Sequence, residues 1–296
     1  MIRAMLTIAA AAVLAPARAT PQITVPIWPQ GAPGSAAHRG EAEIVENSYI
    51  RNVHAPSVTV FPADPAHANG VGVIVIPGGG HRMLVWVNEG VMPARTLNRF
   101  GITVFVLKYR LAREPGSSYG IETDAAADAR RAVRWVRAHA ADYHIDPHRL
   151  GLMGFSAGGE LVSLVADNPA PAGTAPLDAI DRVSARPDFQ ILAYPGPLGI
   201  PARAVTGAPP AFLVAGTQDA CCAPPTLALY QQLRAAGVSA ELHLFADTDH
   251  GFNVAMHTER VSLQHWPDRL ADWLADGGWL VARHDGRATP SSWPTP

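Results

Sequence analysis

The sequence has little cysteine: only Cys221 and Cys222, which are adjacent. A framework of disulfides therefore cannot staple the fold. Neighbouring Cα atoms lie about 3.8 Å apart, below the usual range for a disulfide, so a bond between these two residues would be strained. The sequence leaves open whether the two thiols are joined, and two cysteines alone do not build a metal site.

The chain also lacks an apolar run long enough to cross a membrane. The run near the amino terminus spans residues 5–15, whereas a spanning helix needs roughly 20 residues. Arg3 precedes this run, and Ala17-Arg18-Ala19 supplies the small residues typical of a cleavage site. The pattern predicts a secretory signal peptide over residues 1–19 and export of residues 20–296, as one domain, to the periplasm or the extracellular space.

No charge of either sign dominates. The chain has 23 Lys and Arg against 25 Asp and Glu, and removal of Arg3 and Arg18 leaves 21 against 25, a formal net charge of −4. Neither nucleic acid nor an anionic membrane surface is an attractive partner for such a chain. Since 48% of the residues are apolar and no internal repeat is visible, the length suits one domain with a sizeable core.

Short apolar runs alternate with helix-compatible segments along the chain. The runs predict strands at residues 71–76, 102–108, 149–155, 189–194, 211–215 and 241–245. The segments between them predict helices at 88–99, from 123 onward, at 160–164, 226–236 and 268–276. This alternation indicates an α/β fold with a mainly parallel central sheet, helices on both faces, and a site at the carboxyl ends of the strands.

Less regular segments flank this alternation. Residues 21–38, rich in Pro, Gly and Ala, are expected to run over the surface as an extended arm. Residues 43–50 and 57–61 are expected to form a hairpin at a sheet edge. Residues 168–186 are expected to form an excursion, and the tail from Arg287 to be frayed.

In two of the predicted helices, apolar residues at helical spacing form one face. The helix that Thr123 is expected to cap has an apolar face formed by Ala129, Val133, Val136 and Ala140. Its arginines are expected to face solvent: Arg130, Arg131, Arg134 and Arg137. In the last helix, which Pro267 opens, helical spacing predicts core positions for Trp266, Leu270, Trp273 and Leu274.

The pentapeptide at 154–158, Gly-Phe-Ser-Ala-Gly, matches the GxSxG pattern of a nucleophile elbow. A strand, a sharp turn and a helix in this order place the Ser156 side chain at the top of a sheet. Gly154 and Gly158 leave room there that a Cβ would fill. Glycine and serine are common in ordinary turns, so context has to decide the meaning of such a short match.

A serine hydroxyl becomes a good nucleophile when a base takes its proton and an acid orients that base. In this fold the acid and then the histidine follow the serine along the chain. Asp219 follows the strand at 211–215 and His250 follows the strand at 241–245, so the sequence predicts a Ser156, Asp219 and His250 triad. Asp247 and Asp249 are rival acids, but Asp249 is adjacent to His250 and poorly placed to reach its ring.

The glycine-rich stretch at 77–81, Pro-Gly-Gly-Gly-His, ends the strand at 71–76. It corresponds to the HGGG-type oxyanion loop, with Pro in place of its first His. We expect the backbone N–H groups of Ala157 and of Gly79 or Gly80 to stabilise an oxyanion. A phosphate-binding loop is a poorer interpretation, because the Lys-Ser/Thr ending and the GxGxxG spacing are both missing.

Other residues give weaker signals. His139, His144 and His148 lack His-Glu-x-x-His spacing and are expected to face solvent or cap helices rather than bind metal. His81 and Trp86 follow the oxyanion loop and are expected to wall an acyl or sugar pocket, although core packing accounts equally well for Trp86. The role of Glu89 stays open, and the predicted chemistry needs neither a metal nor a cofactor.

Several motifs of this chain recur together in one group of enzymes. They occupy residues 27–34, 77–81, 89–90, 107–111, 128–132, 154–159, 186–189, 193–195 and 250–252. This set, which covers nearly the whole mature chain, resembles the acetylxylan esterase-like α/β-hydrolases, a branch close to dienelactone hydrolase and the carbohydrate esterases.

The resemblance implies removal of acetyl or feruloyl groups from plant cell-wall polysaccharide, with Ser156, Asp219 and His250 at the matching triad positions. The chain departs from the group at Glu160, where a His is frequent, at His81, where a Tyr is frequent, and in a short segment at 194–209. Cys221-Cys222 is also unusual beside the acid. These positions are expected near the pocket, which makes Glu160 a candidate substrate-binding residue.

Alternative interpretations keep the same fold. A dienelactone-type hydrolase or a peptidase would use the same triad on another substrate. A carbohydrate-binding or adhesion module without chemistry would usually lack a triad member, and none is missing here. The expected partner is an ester of a small molecule or a polysaccharide.

Overall fold

The computed structural model describes residues 22–168, 177–201, 207–256 and 258–280. The predicted signal peptide and the tail from Arg287 lie outside the described residues. These described residues contain ten strands: β1 (Ile23–Pro26), β2 (Ile44–Glu46), β3 (Tyr49–Arg51), β4 (Ser57–Phe61), β5 (Gly72–Ile76), β6 (Thr103–Lys108), β7 (Leu150–Phe155), β8 (Phe189–Ala193), β9 (Ala211–Gly216) and β10 (Ala240–Phe245).

The same part of the chain contains six α-helices: α1 (Met92–Asn98), α2 (Ala126–Ala138), α3 (Ala157–Ala166), α4 (Ala223–Ala235), α5 (Val261–Gln264) and α6 (Trp266–Asp276). A π-helical turn precedes α1 (Val87–Val91) and another precedes α2 (Ile121–Ala125). Short 3₁₀ turns lie at Ala36–His38, Ala140–Tyr143 and Ile180–Arg182. Within the described ranges, no helix is both long and apolar enough to span a bilayer.

Eight of the strands form one sheet in the order β1-β4-β6-β5-β7-β8-β9-β10. The strands from β6 to β10 are parallel, and β4 and β1 add an antiparallel edge. Strands β5, β7, β8 and β9 are wholly buried, and β6 is buried except at Lys108, as their continuous apolar runs predict. The predicted α/β-hydrolase architecture, with a mainly parallel sheet, is confirmed.

The helices divide between the two faces of the sheet. One core combines apolar residues of α2, α3 and α4 with one face of the strands. The other core combines α1, α5 and α6 with the opposite face, and it contains the four residues predicted from the last helix: Trp266, Leu270, Trp273 and Leu274. The prediction of helices on both faces and of these four core positions is therefore correct.

The amino-terminal prediction needs correction. Residues 23–26 are extended and mostly exposed, as expected, but they are not a free arm: they form β1, which pairs with β4 in the main sheet. Residues 43–50 and 57–61 do not pair with each other. Instead β2 and β3 form their own hairpin around Asn47, which adopts the left-handed φ of 52° that Asn tolerates. The unpaired edge of β4 accepts β1, and local sequence does not reveal such an edge.

The prediction for the arginines of α2 is also wrong. Arg131 is fully buried, lies over the Trp28 ring, and donates to the carboxylates of Asp178 and Asp181. The other three bind carbonyl or carboxylate oxygens in the same way: Arg130 to Leu164, Arg134 to Val183, and Arg137 to Ser184, Arg186 and Asp188. We call the contacts of Arg131, Arg134 and Arg137 with residues 178–188 the arginine clamp.

The start of α2 differs from the prediction as well. Thr123 lies inside the π-helical turn that precedes α2, and no side chain caps the backbone there. Its hydroxyl donates to the Asp124 carboxylate at 2.8 Å. Asp124 in turn accepts the backbone N–H of Gly120 at 2.9 Å, so the turn is closed by an acid rather than by the predicted threonine cap.

Candidate active site

The GxSxG segment forms a sharp turn between β7 and α3. Ser156 has φ 50° and ψ −119°, a strained conformation for a residue with a side chain. A Cβ on Gly154 would lie 2.3 Å from the Gly158 carbonyl oxygen, and one on Gly158 would lie 2.0 Å from the Ile76 carbonyl oxygen. Both positions therefore require glycine, and the turn carries Ser156 at the carboxyl end of β7.

Three side chains that the sequence singled out meet at this edge of the sheet. The His250 Nε2 lies 2.9 Å from the Ser156 Oγ, and the His250 Nδ1 lies 2.6 Å from the Asp219 Oδ2. Ser156 follows β7, Asp219 follows β9 and His250 follows β10, so each sits beyond the carboxyl end of its strand. The arrangement is that of a serine nucleophile, a histidine base and an orienting acid.

The rival acids lie elsewhere. Asp249 accepts the backbone N–H of its neighbour His250 at 2.7 Å, and Asp247 lies 3.8 Å from Arg260. Asp219 is 2% exposed and also accepts the backbone N–H of Cys222 at 3.1 Å, which holds its carboxylate in place. Geometry thus favours Asp219 as the partner of His250.

The glycine-rich loop after β5 lies directly against the serine. A Cβ on Gly78 would be 2.8 Å from the Ser156 Cβ. Gly79 and Gly80 have φ values of 122° and 64°, in the left-handed region that favours glycine. Within the described part of the chain, the N–H groups of Gly79, Gly80 and Ala157 donate to no protein acceptor. They are available to a substrate oxygen.

A buried carboxylate supports this loop. Glu89 accepts the backbone N–H of Gly78 at 2.8 Å and the Tyr194 hydroxyl at 3.1 Å. The Tyr194 ring packs edge-on against His250, with ring centroids 4.7 Å apart, and its oxygen accepts the Asn253 N–H. Glu89 and Tyr194 therefore link the glycine loop to the histidine loop. Burial raises the pKa of Glu89, and the hydrogen bond from Gly78 opposes that rise.

The sequence contained only an indirect signal for Glu89. Its motif with Gly90 recurs in the resembling enzymes, but periodicity cannot show that a glutamate near a helix start turns inward. Tyr194 was visible only as the end of a buried strand. Their roles depend on contacts between residues about a hundred positions apart in the chain.

The residues expected on the pocket wall are placed differently from the prediction. The His81 ring is fully buried, and its Nε2 lies 2.8 Å from the Glu160 Oε2. Glu160 is also buried and accepts the backbone N–H of Leu198. A ring without exposed surface does not line a pocket, so this prediction is wrong for His81. Trp86 is partly buried, packs against both cores and lies 5.8 Å from the Lys108 ammonium.

The two cysteines are joined in a vicinal disulfide beside the triad. The Cys221 Sγ lies 4.0 Å from the His250 Nδ1, and Cys222 begins the turn into α4. The sequence left open whether the two thiols are joined, and in this structure they are.

A cavity of about 290 Å³, with both polar and apolar side chains in its walls, opens beside the histidine. Its lining includes His250 itself together with Asn88, Asp247, Asn253 and Arg260. Amide, carboxylate and guanidinium groups around one cavity suit a ligand rich in hydroxyl groups.

Known proteins and family models match large parts of this chain. The model of the dienelactone hydrolase family matches residues 120–276, and the BD-FAE model matches residues 61–172. An acetylxylan esterase of Xylanibacter ruminicola is 28% identical over 220 residues, which cover 64% of this chain and 42% of that protein. An endo-1,4-beta-xylanase B of Butyrivibrio fibrisolvens is 35% identical over 131 residues, which cover 42% of this chain and 19% of that protein. The chain thus spans less than half the length of these relatives.

Solved structures show the same architecture. The acetyl ester-xyloside bifunctional hydrolase from Caldicellulosiruptor lactoaceticus superposes with a TM-score of 0.69 at 27% identity, covering 87% of this chain and 97% of that one. Esterase 2 of Thermogutta terrifontis, in its apo form, superposes with a TM-score of 0.67 at 22% identity, covering 83% of this chain and 97% of that one, and supports the fold alone. The fold, the family model and these relatives lead to one conclusion: the chain belongs to the dienelactone hydrolase family, has the α/β-hydrolase fold and is similar to an acetylxylan esterase.

Proposed function

We propose that the protein is an exported serine esterase that removes acetyl-type groups from plant cell-wall polysaccharide such as xylan. One observation carries the proposal: Ser156, His250 and Asp219 form a continuous chain of hydrogen bonds beside unpaired backbone donors. Of these three residues, only Ser156 has to contact the substrate carbonyl.

The proposed reaction has two halves. Ser156 Oγ attacks the ester carbonyl while His250 Nε2 takes its proton, and Asp219 steadies the resulting imidazolium. The negative oxygen accepts hydrogen bonds from Ala157 and from Gly79 or Gly80. His250 returns the proton to the leaving oxygen of the sugar as the C–O bond breaks, so the sugar departs with a free hydroxyl. Water, deprotonated by His250, then attacks the acyl-serine, releases the carboxylic acid and restores the Ser156 hydroxyl.

The choice of substrate is supported by the relatives and by the cavity. Two of the relatives bear xylan-related names, and the walls of the cavity beside His250 combine polar side chains that can bind sugar hydroxyls with apolar ones such as Phe252. Feruloyl esters, dienelactones and peptides are alternatives on the same triad. Export is a proposal from the amino-terminal sequence alone.

Hydrolysis of a chromogenic acetate tests the chemistry, and acetylated xylan, feruloyl esters and short peptides assayed side by side test the substrate. Ser156→Ala should abolish turnover and labelling by a fluorophosphonate, which Ser156 Oγ attacks with loss of fluoride. Ser163→Ala is the matched control, because Ser163 is a buried serine of α3 with an unpaired hydroxyl. Undiminished turnover by Ser156→Ala would contradict the assignment. Amino-terminal sequencing of the periplasmic fraction tests cleavage after Ala19.

A further inference from the structure

The cavity beside His250 lies where the leaving alcohol of the ester has to sit. His250 Nε2, which lies 2.9 Å from Ser156 Oγ, returns its proton to the leaving oxygen in the proposed reaction, so the alcohol part of the substrate must lie next to this ring. The cavity volume of about 290 Å³ is near the lower end of the range for ligand pockets, about 300 Å³. The residues in its walls are therefore the ones that can recognise the alcohol.

Two separate segments form the walls of this cavity. One is the π-helical turn before α1, which contributes Asn88. The other runs from the loop after β10 to α5, at residues 247–263. A buried tyrosine connects the two segments: Glu89, the neighbour of Asn88, accepts the Tyr194 hydroxyl, and the same Tyr194 oxygen accepts the backbone N–H of Asn253 at 3.1 Å. The two walls are thus held together by hydrogen bonds that do not involve a ligand.

The π-helical turn gives two adjacent residues different environments. Glu89 is buried and accepts the Gly78 N–H, whereas Asn88 is half-buried and lines the cavity. Turns of this kind are rare and occur frequently at functional sites. Within the described residues, the Asn88 side chain has no hydrogen-bond partner in the protein. Its carboxamide is therefore available to a ligand in the cavity.

Asn253 supplies a second carboxamide from the other wall. Its φ of 50° lies in the left-handed region that asparagine tolerates. Its backbone N–H donates to Tyr194 Oη, and its carbonyl oxygen accepts the Trp266 indole N–H at 3.1 Å, so both polar groups of its backbone are held. Its Oδ1 lies 3.3 Å from Tyr194 Oη, but its amide nitrogen donates to no acceptor in the part of the chain that the structure describes. Two N–H donors remain for a ligand.

Two free carboxamides suit an alcohol that carries further hydroxyl groups. A hydroxyl group is both a donor and an acceptor, and a primary amide offers both functions without a charge. Phe252 lines the same cavity and offers an apolar ring against which the C–H face of a sugar can pack. An alcohol with no other hydroxyl group would use neither amide, so the two amides distinguish a sugar from a simple alcohol.

We propose that Asn88 and Asn253 bind hydroxyl groups of the leaving sugar and thereby select sugar esters over esters of simple alcohols. This inference rests on the proposed esterase function and names the residues that recognise the alcohol part of its substrate. Specificity for the sugar then resides in the two segments that Tyr194 connects, whereas the chemistry resides in the triad.

Kinetics with two acetates test the proposal: acetylated xylobiose, which carries sugar hydroxyls, and 4-nitrophenyl acetate, which carries none. The ratio of kcat/KM for the sugar ester to kcat/KM for the aryl ester should fall about fivefold in Asn88→Ala and in Asn253→Gly, through a higher KM for the sugar ester. Glycine at position 253 keeps the left-handed backbone and the N–H donor to Tyr194. Xylobiose itself should inhibit hydrolysis of the aryl ester competitively, with a Ki about fivefold higher in each variant.

Gln231→Ala is the matched control, because Gln231 carries an exposed carboxamide on α4, outside the cavity walls. Its ratio and its Ki should equal those of the wild type. Circular dichroism checks that each variant is folded, and Asn88→Ala alone decides the question if Asn253→Gly fails to fold.

Two outcomes would contradict the inference in different ways. If the wild type hydrolyses acetylated xylobiose, an unchanged ratio and an unchanged Ki in the folded asparagine variants would overturn the inference and leave the proposed function in place. If the wild type hydrolyses only the aryl ester, the proposed sugar substrate is overturned, and the inference falls with it.

Discussion

Two pairs of a carboxylate and an imidazole within the described residues have nearly the same length but different surroundings. Asp219 and His250 are 2.6 Å apart, and Glu160 and His81 are 2.8 Å apart. The His250 side chain is 35% exposed and its second nitrogen reaches a serine. The His81 side chain is fully buried, and its Nδ1 has no partner among the described residues. The second nitrogen and access to solvent, rather than the ion pair itself, distinguish a reactive site from a structural one.

The difference arises from backbone geometry. His250 lies on a loop beyond β10, where it faces the elbow from the open edge of the sheet. His81 follows three glycines, and its own φ of 60° turns its side chain inward toward α3. The same two chemical groups therefore belong to the candidate active site at His250, whereas at His81 they support the glycine-rich loop.

The largest expected effect comes from Asp219→Asn. The amide fixes the wrong tautomer of His250, so kcat for a chromogenic acetate should fall by about 10⁴-fold while KM changes little. Steady-state kinetics measures this fall, and a urea titration checks that the fold persists. Full activity in this variant would remove the distinction between the two pairs.

Glu89→Ala should have the next largest effect. It leaves the Gly78 N–H without its acceptor and leaves the Tyr194 hydroxyl with only the Asn253 Oδ1 at 3.3 Å, which loosens the loop that carries the oxyanion donors. We expect kcat to fall by about tenfold to a hundredfold, less than for direct loss of a donor. Tyr194→Phe serves as the comparison: it keeps the Gly78 bond but removes the hydroxyl that contacts Glu89 and the Asn253 N–H, and it should lose less. Equal loss in both variants would show that the Gly78 bond is unimportant.

Glu160→Ala should affect stability rather than catalysis. This change removes the partner of the buried His81 Nε2 and the acceptor of the Leu198 N–H. The loss should lower the free energy of unfolding by about 2 to 3 kcal/mol. Chemical denaturation measures the loss, and kcat at a temperature where the variant is folded should stay close to that of the wild type. A fall in kcat like that of Asp219→Asn would show that the second pair is also catalytic.

A third buried carboxyl, without an imidazole, extends the comparison. Asp167 accepts the Gln190 side-chain N–H at 2.7 Å, its Oδ2 has no partner in the described ranges, and burial raises its pKa to about 7. Between its ordinary value of 3.8 and about 7 the folded protein holds a proton that the unfolded chain releases. Stability should therefore decline as the pH rises through this range and level off above it.

Asp167→Asn should abolish that decline, because asparagine stays neutral and can still accept from Gln190. At a pH above about 8 we expect the variant to be more stable than the wild type by about 2 kcal/mol, with the difference vanishing near pH 4. Urea titrations at several pH values measure it. A difference independent of pH would show that Asp167 is ionised in the folded protein.

The buried strands, the elbow turn and the order of the triad residues were predictable from the sequence, because they depend on local patterns. Continuous apolar runs predicted the buried strands, and the elbow glycines marked the turn that carries Ser156. The order of Ser156, Asp219 and His250 along the chain then followed from the strand ends. Each of these inferences uses residues that are neighbours in sequence, or a rule about where parallel strands end.

The rest depends on partners that are distant in sequence. Arg131 is buried because Asp178 and Asp181 come to meet its guanidinium, and an arginine on a helix looks the same in sequence whether or not such partners exist. The pairing of β1 with β4, the inward turn of Glu89 and the burial of His81 have the same origin. The triad geometry was foreseen, whereas its supporting contacts were not.

The arginine clamp has a consequence for how the elbow opens. Its contacts join residues 47 to 51 positions apart, and β7, the elbow and α3 all lie inside the loop that they close. The clamp therefore holds both ends of that loop together and opposes an opening of the elbow alone. The amide hydrogens of β7 and α3 should exchange with solvent only when the whole unit opens, which makes the nucleophile part of one of the last regions to unfold.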